Sequence, residues 1–281
     1  MKVVVTGGAG KLGRWVVRDL ASAGHQVTIF DKVRGTETAD RTLTGDIENL
    51  SEVSETIVGA EAIIHLAGIP THGIVADDVT FRINVMGTFN VHEAARQRGI
   101  GRVVSLSSEA VLGWAPGSWE REHVPAYLPI DENHPCAPQD CYGLSKQVME
   151  DVARSFSAKC GMVTVLIRAP WLVSPDELEQ LTKSGGRTPG RFALFHYIDA
   201  RDLARACRLA AERPLQGSHT IYVGSGESTV AEPLSSLLPR LMPSIGDKAQ
   251  VLHDRRAAVS IDKAKRLLGW EPRYSWRGLS V

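Results

Sequence analysis

The chain reads as an α/β protein built on a doubly wound parallel sheet. Three observations predict it. Residues 2–31 run strand, glycine turn, helix, strand, acid. Strand-like apolar runs and helix-periodic segments then alternate for most of the remaining length. The 281 residues, 43% of them hydrophobic, suffice for one large sheet domain and a small second lobe.

Lys2 to Thr6 (K-V-V-V-T) is a short apolar run and reads as a buried strand. It ends in Gly7-Gly8-Ala9-Gly10-Lys11-Leu12-Gly13, after which Leu12, Val16, Val17 and Leu20 recur at helical spacing up to a stop at Gly24. A second strand, Gln26 to Phe30, ends in Asp31. In that turn Gly7 lets the chain bend off the strand, Gly10 leaves room for a pyrophosphate against the backbone, and Gly13 lets the helix pack close to the sheet. The first helical turn, entered through Lys11 and Leu12, offers free N–H groups and a positive dipole end to phosphates. Asp31 can accept both hydroxyls of an adenosine ribose and repels a 2′-phosphate, so the expected cofactor is NAD rather than NADP. Lys32 and Arg34 lie close by and weigh the other way.

Arg41 to Thr44 is expected as a third strand, closed by Gly45-Asp46. Asp46 either contacts the adenine or caps a helix over Ile47 to Val58, and Ile47 is expected at the cofactor. Glu61 to Leu66 is the next strand. Leu66, Ala67 and Gly68 close it, and small residues there leave room for a cofactor to cross the strand end. His65 is expected to pack within that strand. A long helix follows with Phe81, Val85, Thr88, His92 and Ala95 on one face, and Asn84 near the middle of the fold. Arg102 to Leu106 is a fifth strand running into Ser107-Ser108-Glu109. Gly113 to Cys141 is irregular, with five prolines and the tryptophans Trp114 and Trp119, the mark of a functional loop beside a cleft. Tyr142 to Lys159 reads as a helix and Val163 to Ile167 as a strand. Pro170 to Phe195 reads as irregular, Asp199 to Arg213 as a helix, Thr220 to Val223 as a strand, and the C-terminal part as helical and polar.

Net charge is +0 with Lys and Arg scattered, so neither a nucleic-acid stripe nor a membrane face is expected. The N-terminus shows no signal-peptide pattern, and no apolar run approaches the roughly 20 residues that span a bilayer. Cys136, Cys141, Cys160 and Cys207 form no C-x-x-C pair, which fits reduced thiols in a cytoplasm. His123, His134, Cys136 and Cys141 match no standard ligand spacing, so no metal is expected.

The chemistry-bearing pattern is Tyr142-Gly143-Leu144-Ser145-Lys146, which puts Tyr142 and Lys146 on one helix face. A tyrosine with a pKa near ~10 is a poor base at neutral pH. A neighbouring ammonium and a positively charged nicotinamide stabilise its phenolate and are expected to lower that value. Tyr142 can then take the proton of a substrate hydroxyl while hydride leaves the same carbon. Lys146 can also hydrogen-bond the nicotinamide ribose, and Ser108, at a strand end, can hold the reacting oxygen.

T-G-G-A-G-K-L-G, Asp31, G-D-I, H-L-A-G, I-N-V-M-G-T-F-N, S-L-S-S-E-A-V-L-G and Y-G-L-S-K follow one another in an order that resembles the extended short-chain dehydrogenase/reductases. That group contains the NAD-dependent sugar-nucleotide epimerases and dehydratases. H-Y-I-D-A-R-D-L-A and I-D-K-A-K-R-L-L-G-W-E-P resemble its later landmarks. The resemblance implies a Rossmann-type sheet over residues 1–168, with a strand and helix returning at about 196–223, and a small C-terminal substrate-binding lobe mainly over 169–281. It implies Ser108, Tyr142 and Lys146 as catalytic, and Gly7, Gly10, Gly13, Asp31, Asp46, Ala67, Asn84 and Ser107 around NAD. It also implies a homodimer paired through the helices at about Asp77 to Arg98 and Tyr142 to Lys159.

The departures bear on substrate. Nucleotide-sugar members often carry L-R-Y-F-N-V-Y-G-P where this chain has Leu166-Ile167-Arg168-Ala169-Pro170-Trp171-Leu172-Val173-Ser174-Pro175, so Trp171 stands in place of a substrate-binding Asn. Phe195 stands where those members place a diphosphate-binding Arg, and their R-x-G-D segment is missing. A diphosphate calls for charged, forked donors. The chain resembles uronate dehydrogenases in being short and lacking that Asn; Arg191, Arg255 and Arg256 remain as possible anion contacts. Glu109 is a candidate second acid or base, but a single carboxylate there favours oxidation or epimerisation over dehydration. Trp114, Trp171 and His196 either line the substrate pocket or pack in the core. The expected function is NAD-dependent oxidoreduction at a hydroxyl-bearing carbon of a sugar, as an epimerase-family enzyme or as a dehydrogenase of a free sugar or sugar acid. A non-catalytic NAD-binding regulator is the alternative from another class.

Overall fold

Val3, Val4 and Val5 are all buried, as befits a parallel strand covered on both faces. They lie in β1 (Lys2–Thr6), the centre of the sheet. The computed structural model describes residues 1–114, 123–186 and 194–278. The other strands are β2 (Gln26–Asp31), β3 (Arg41–Thr44), β4 (Ala62–His65), β5 (Arg102–Ser108), β6 (Val163–Ala169), β7 (Trp171–Val173), β8 (Tyr197–Asp199) and β9 (Ser218–Tyr222). Seven of them form one sheet in the order β3-β2-β1-β4-β5-β6-β9, every pair parallel. The strand order reverses between β1 and β4, and an open sheet of this kind holds its ligand in the crevice at that reversal. β7 and β8 pair separately, also in parallel.

The helices are α1 (Gly13–Ser22), α2 (Leu50–Thr56), α3 (Asp77–Gln97), α4 (Cys141–Cys160), α5 (Pro175–Lys183), α6 (Ala200–Glu212), α7 (Leu234–Leu241) and α8 (Asp262–Leu268). Val16, Val17 and Leu20 of α1 join Leu203 and Cys207 of α6 against one face of the sheet. Val53, Val91, Ala95 and Phe156 of α2, α3 and α4 cover the other. A separate core gathers Val111, Leu112, Trp114 and Ile130 with Leu234, Leu238, Met242 and Ile245.

Several expectations are corrected. Helix α2 begins at Leu50, not Ile47, because Asn49 accepts hydrogen bonds from the N–H groups of Ser51 and Glu52 and caps it. The buried stripe of α3 runs through Thr80, Asn84, Thr88, Val91 and Ala95, leaving Phe81 and Val85 half-buried; Asn84 and Thr88 are buried with hydrogen-bond partners, whereas the Thr80 hydroxyl has none among the described residues. β5 and β6 extend to Ser108 and Ala169, so both serines are held in register on the sheet. The segment 170–195 is not wholly irregular: it contains β7 and α5. The C-terminal part is helical but not simply polar, since Leu234, Leu237 and Leu238 of α7 are buried.

One ion pair ties the ends of these strands to α4. Arg168 donates from Nε to Glu150 Oε1 at 2.9 Å and from Nη2 to Oε2 at 2.8 Å. Both side chains are almost fully buried. Ser107 donates to the same carboxylate at 2.7 Å, and Arg168 Nη1 donates to the Tyr222 hydroxyl at 3.0 Å. Replacing Arg168 by Met leaves Glu150 with Arg154, 3.3 Å away, as its remaining hydrogen-bonded cation among the described residues. The expected loss is ~3–5 kcal/mol, read as a lower urea midpoint. Adding Glu150→Leu to the same chain should recover much of it, and a single Arg168→Met variant as stable as the parent would contradict this account.

Candidate active site

The turn between β1 and α1 is backbone packed on backbone. Gly7 has φ +74°, and a Cβ there would lie 2.6 Å from the amide nitrogen of Ala67. A Cβ on Gly13 would lie 2.1 Å from the Gly7 carbonyl oxygen. The N–H of Ala9 donates to Asp31 Oδ2 at 3.0 Å, which fixes the turn against the end of β2. This turn forms one wall of a cleft of about 670 Å³. Gly7, Gly10, Lys11, Leu12, Gly13, Asp31, Ile47, Leu66, Ala67, Gly68 and Ser107 line it, and so do Ser108, Tyr142 and Lys146.

Two expected cofactor residues stand back from the cleft. Asn84 is buried and works on the loop after β4: its Oδ1 accepts from Ile69 N–H at 2.7 Å, and its Nδ2 donates to Ile69 O and to Ser145 Oγ. Asp46 does not cap α2; it accepts from Glu48 N–H and pairs with Lys32 at 2.9 Å. That engagement, together with the Glu48 hydrogen bond, lowers its pKa against the opposing effect of burial. Cleft residues the sequence reading missed include Ile69, Pro70, Thr71, Pro170 and Leu172. Small and proline residues directly after a strand end were the available signal for Pro70 and Pro170. Lys11 reaches across to the Leu172 carbonyl at 3.1 Å and to Glu177 at 2.6 Å.

Tyr142 and Lys146 lie one turn apart on α4, whose first turn is fixed by Asp140 accepting from Gly143 N–H at 2.6 Å. Lys146 Nζ sits 5.6 Å from the centre of the Tyr142 ring and donates to Leu106 O at 2.9 Å. Burial lowers Lys146 to about 8, although Glu150 pulls the other way. The expected lowering of Tyr142 is not what the chain alone provides. Burial pushes its phenol up to about 12, hydrogen bonding with Ser108 opposes this, and Asp140 adds to the rise. Ser108 also accepts from Ala110 N–H at 3.1 Å, starting a 3-10 turn at Glu109–Leu112.

Trp114 and Trp171 line the far end of the cleft. Trp114 is held by its Nε1 donating to His123 O at 2.7 Å. His196 does not line it: its ring is fully buried between Glu109, at 2.6 Å, and the Ser225 carbonyl, at 2.8 Å. Phe195 is buried in the separate core. Arg255 and Arg256 are exposed and off the cleft, and Arg191 lies outside the described residues. The metal candidates have other partners: His123 bonds to Leu112 O, His134 to Ala126 N–H, Cys136 to Arg168 and Cys141 to Asp77 O. No helix among the described residues is long and apolar enough to cross a membrane.

A parallel sheet with its glycine turn at the order reversal, an acid closing β2 and a tyrosine–lysine pair on the cleft wall define a dinucleotide-binding oxidoreductase fold. Residues 3–224 match the model of the NAD dependent epimerase/dehydratase family, and the chain belongs to that family. NAD is the cofactor this membership assigns to the cleft, and the residues present fit it: the turn leaves no room for side chains where phosphates would meet backbone. The chain is 27% identical to the UDP-glucose 4-epimerase of Corynebacterium glutamicum, covering 98% of this chain and 92% of that one. It is 31% identical to the uronate dehydrogenase of Pseudomonas putida, covering 67% and 72% respectively. A short-chain dehydrogenase/reductase superfamily protein from Agrobacterium tumefaciens, solved with bound NAD, superposes with a TM-score of 0.74 at 26% identity, covering 99% of this chain and 94% of that one.

Cofactor choice is testable at Lys32. An exposed ion pair is worth under ~1 kcal/mol, so Asp46→Asn should raise NADP⁺ affinity by no more than about fivefold. Asp31→Asn removes a like charge from the 2′-phosphate and should raise it further while weakening NAD⁺. Calorimetric titration with both dinucleotides measures this, and NADP⁺ affinity unchanged in both variants would refute the assignment of this end of the cleft to the adenosine.

Proposed function

We propose that the protein oxidises a hydroxyl-bearing carbon of a sugar-type substrate, with Ser108, Tyr142 and Lys146 as its catalytic residues. The observation that carries this reading is their convergence on the cleft that also holds the glycine turn. Ser108 holds the reacting oxygen. Tyr142 takes its proton, and Lys146 stabilises the phenolate and anchors the cofactor ribose. When bound, NAD⁺ accepts hydride from the carbon and adds positive charge near Tyr142. Burial keeps water from competing for the tyrosine hydroxyl.

Net oxidation of a free sugar or sugar acid is the favoured outcome, because no arginine lines the cleft among the described residues and Trp171 presents an apolar surface there. A sugar diphosphate would call for forked cationic donors. Epimerisation with a retained cofactor is the second reading, favoured by the near full-length match to a UDP-glucose 4-epimerase. The α3–α4 face, with Met86, Phe89 and Leu144 exposed, is the surface proposed for pairing two copies.

The nucleotide released on acid denaturation separates the two outcomes: stoichiometric NAD supports epimerisation, and an empty site that binds added NAD⁺ supports a dehydrogenase. Tyr142→Phe should cut turnover by ~10²–10⁴-fold while NAD⁺ still binds. Because Tyr142 is protonated well above neutrality, oxidation should speed up as pH rises through the neutral range, whereas the reverse reduction, which uses the protonated phenol, should not. Full activity in Tyr142→Phe, or a pH-independent oxidation rate, would refute the assignment; a protein whose biological role survives that substitution would be an NAD-binding regulator.

A further inference from the structure

Glu109 follows Ser108 directly, and it and Asp31 are the acids among the described cleft-lining residues. They sit at opposite ends. Glu109 is only 4% exposed, which would be costly for an unpaired carboxylate. Its Oε1 lies 2.6 Å from His196 Nδ1, and His196 Nε2 lies 2.8 Å from the Ser225 carbonyl. A carbonyl only accepts, so Nε2 carries a proton and donates it to Ser225. The Nδ1 side then shares a second proton with the carboxylate. Burial opposes an imidazolium, but the charge of Glu109 and the two hydrogen bonds outweigh it, so His196 titrates above its ordinary value. The ring packs directly on Gly224, where a Cβ would lie 2.1 Å from it. Among the described residues Oε2 of Glu109 has no hydrogen-bond partner, although the side chain borders the cleft.

We propose that Glu109 is a substrate-binding, specificity-determining residue whose carboxylate, aimed by His196, accepts hydrogen bonds from sugar hydroxyls adjacent to the reacting carbon. This rests on the oxidoreductase reading above and names the chemistry of its substrate beside that carbon: unmodified hydroxyls, not a carboxylate or phosphate, which would face a like charge at close range. Trp114 offers an apolar surface next to it for the C–H face of the ring. His196 is a positioning residue that touches no substrate.

The test uses the full chain with saturating NAD⁺ and a panel of glucose, galactose, arabinose, their 2-deoxy counterparts, glucuronate and galacturonate. For the sugar that the parent oxidises, Glu109→Gln should raise KM by ~10-fold or more with a smaller change in kcat, because a hydrogen bond to a charged group is lost. The deoxy analogue lacking the contacted hydroxyl should lose efficiency with the parent but lose no more with Glu109→Gln. NAD⁺ affinity should stay near the parental value, and Glu109→Asp should restore part of the KM. A parent that reduces NAD⁺ with no member of the panel overturns net oxidation of a free sugar and this assignment with it. A parent that is active, with Glu109→Gln affecting hydroxylated and deoxy sugars equally, overturns the assignment of Glu109 alone.

Discussion

A side chain at position 13 would sit 2.1 Å from the carbonyl oxygen of Gly7, so α1 can approach β1 only as glycine on glycine. The same contact brings Gly7 against Ala67 at the end of β4, the strand on the other side of the order reversal. The β1–α1 turn is thereby brought against the end of β4, about sixty residues further on, and the cleft opens where they meet. The remainder of the dinucleotide wall hangs from this contact: Ala9 N–H holds Asp31, and Asn84 pins the loop that follows Gly68. A substitution anywhere in the turn acts on the fold and on the ligand together.

The catalytic wall is governed by a different constraint, the placing of an ammonium and a phenol in a dry interior. Lys146 is buried, and it is tolerated because Leu106 O accepts from it and Glu150 lies one turn further along α4. Glu150 in turn is neutralised by Arg168, which reaches it from β6. Ser107, Glu150, Arg168 and Tyr222 form one connected polar network beneath Lys146, so the charge next to Tyr142 depends on the ends of three strands. Burial opposes ionisation of both residues of the pair: it moves Tyr142 up and Lys146 down. In the chain by itself, burial therefore favours the neutral form of both.

Much of this was legible in the sequence where structure is written locally. β1 and the glycine turn follow from a run of valines and from residues that only a bend requires, and the helical i, i+4 spacing put Tyr142 and Lys146 on one face. Other features were hidden. The cap at Asn49 was masked because Asp46, three residues earlier, is an equally good capping type, and tertiary contact with Lys32 decided between them. Helix α5 was missed although Ser174-Pro175-Asp176-Glu177 is a capping box with proline in the first turn; the glycines and prolines around it outweighed that signal. α7 falls in the part expected to be helical and polar, but its Leu234, Leu237 and Leu238 are buried in a core shared with Val111, Trp114 and Ile130. Pocket and core were both open for His196, and the structure buries it; its partners Glu109 and Ser225 are distant in sequence and could not be read.

That difference between local and distant explains how relatives that share about a quarter to a third of their residues can carry names as different as epimerase and dehydrogenase. The dinucleotide wall is made largely from one contiguous turn plus strand ends whose backbone does the binding, so it survives wide sequence change. The opposite wall includes Glu109 and Trp114 from the segment after β5 and Trp171 from β7, with the buried His196 behind Glu109. On the proposal above, single substitutions there, such as an apolar Trp171 or a charged Glu109, would alter what the cleft accepts without disturbing the turn on which the fold depends. Substrate chemistry in this architecture is therefore set by the scattered residues that motif reading sees least well, and Glu109 is the one whose charge, burial and fixed partner make that setting most definite.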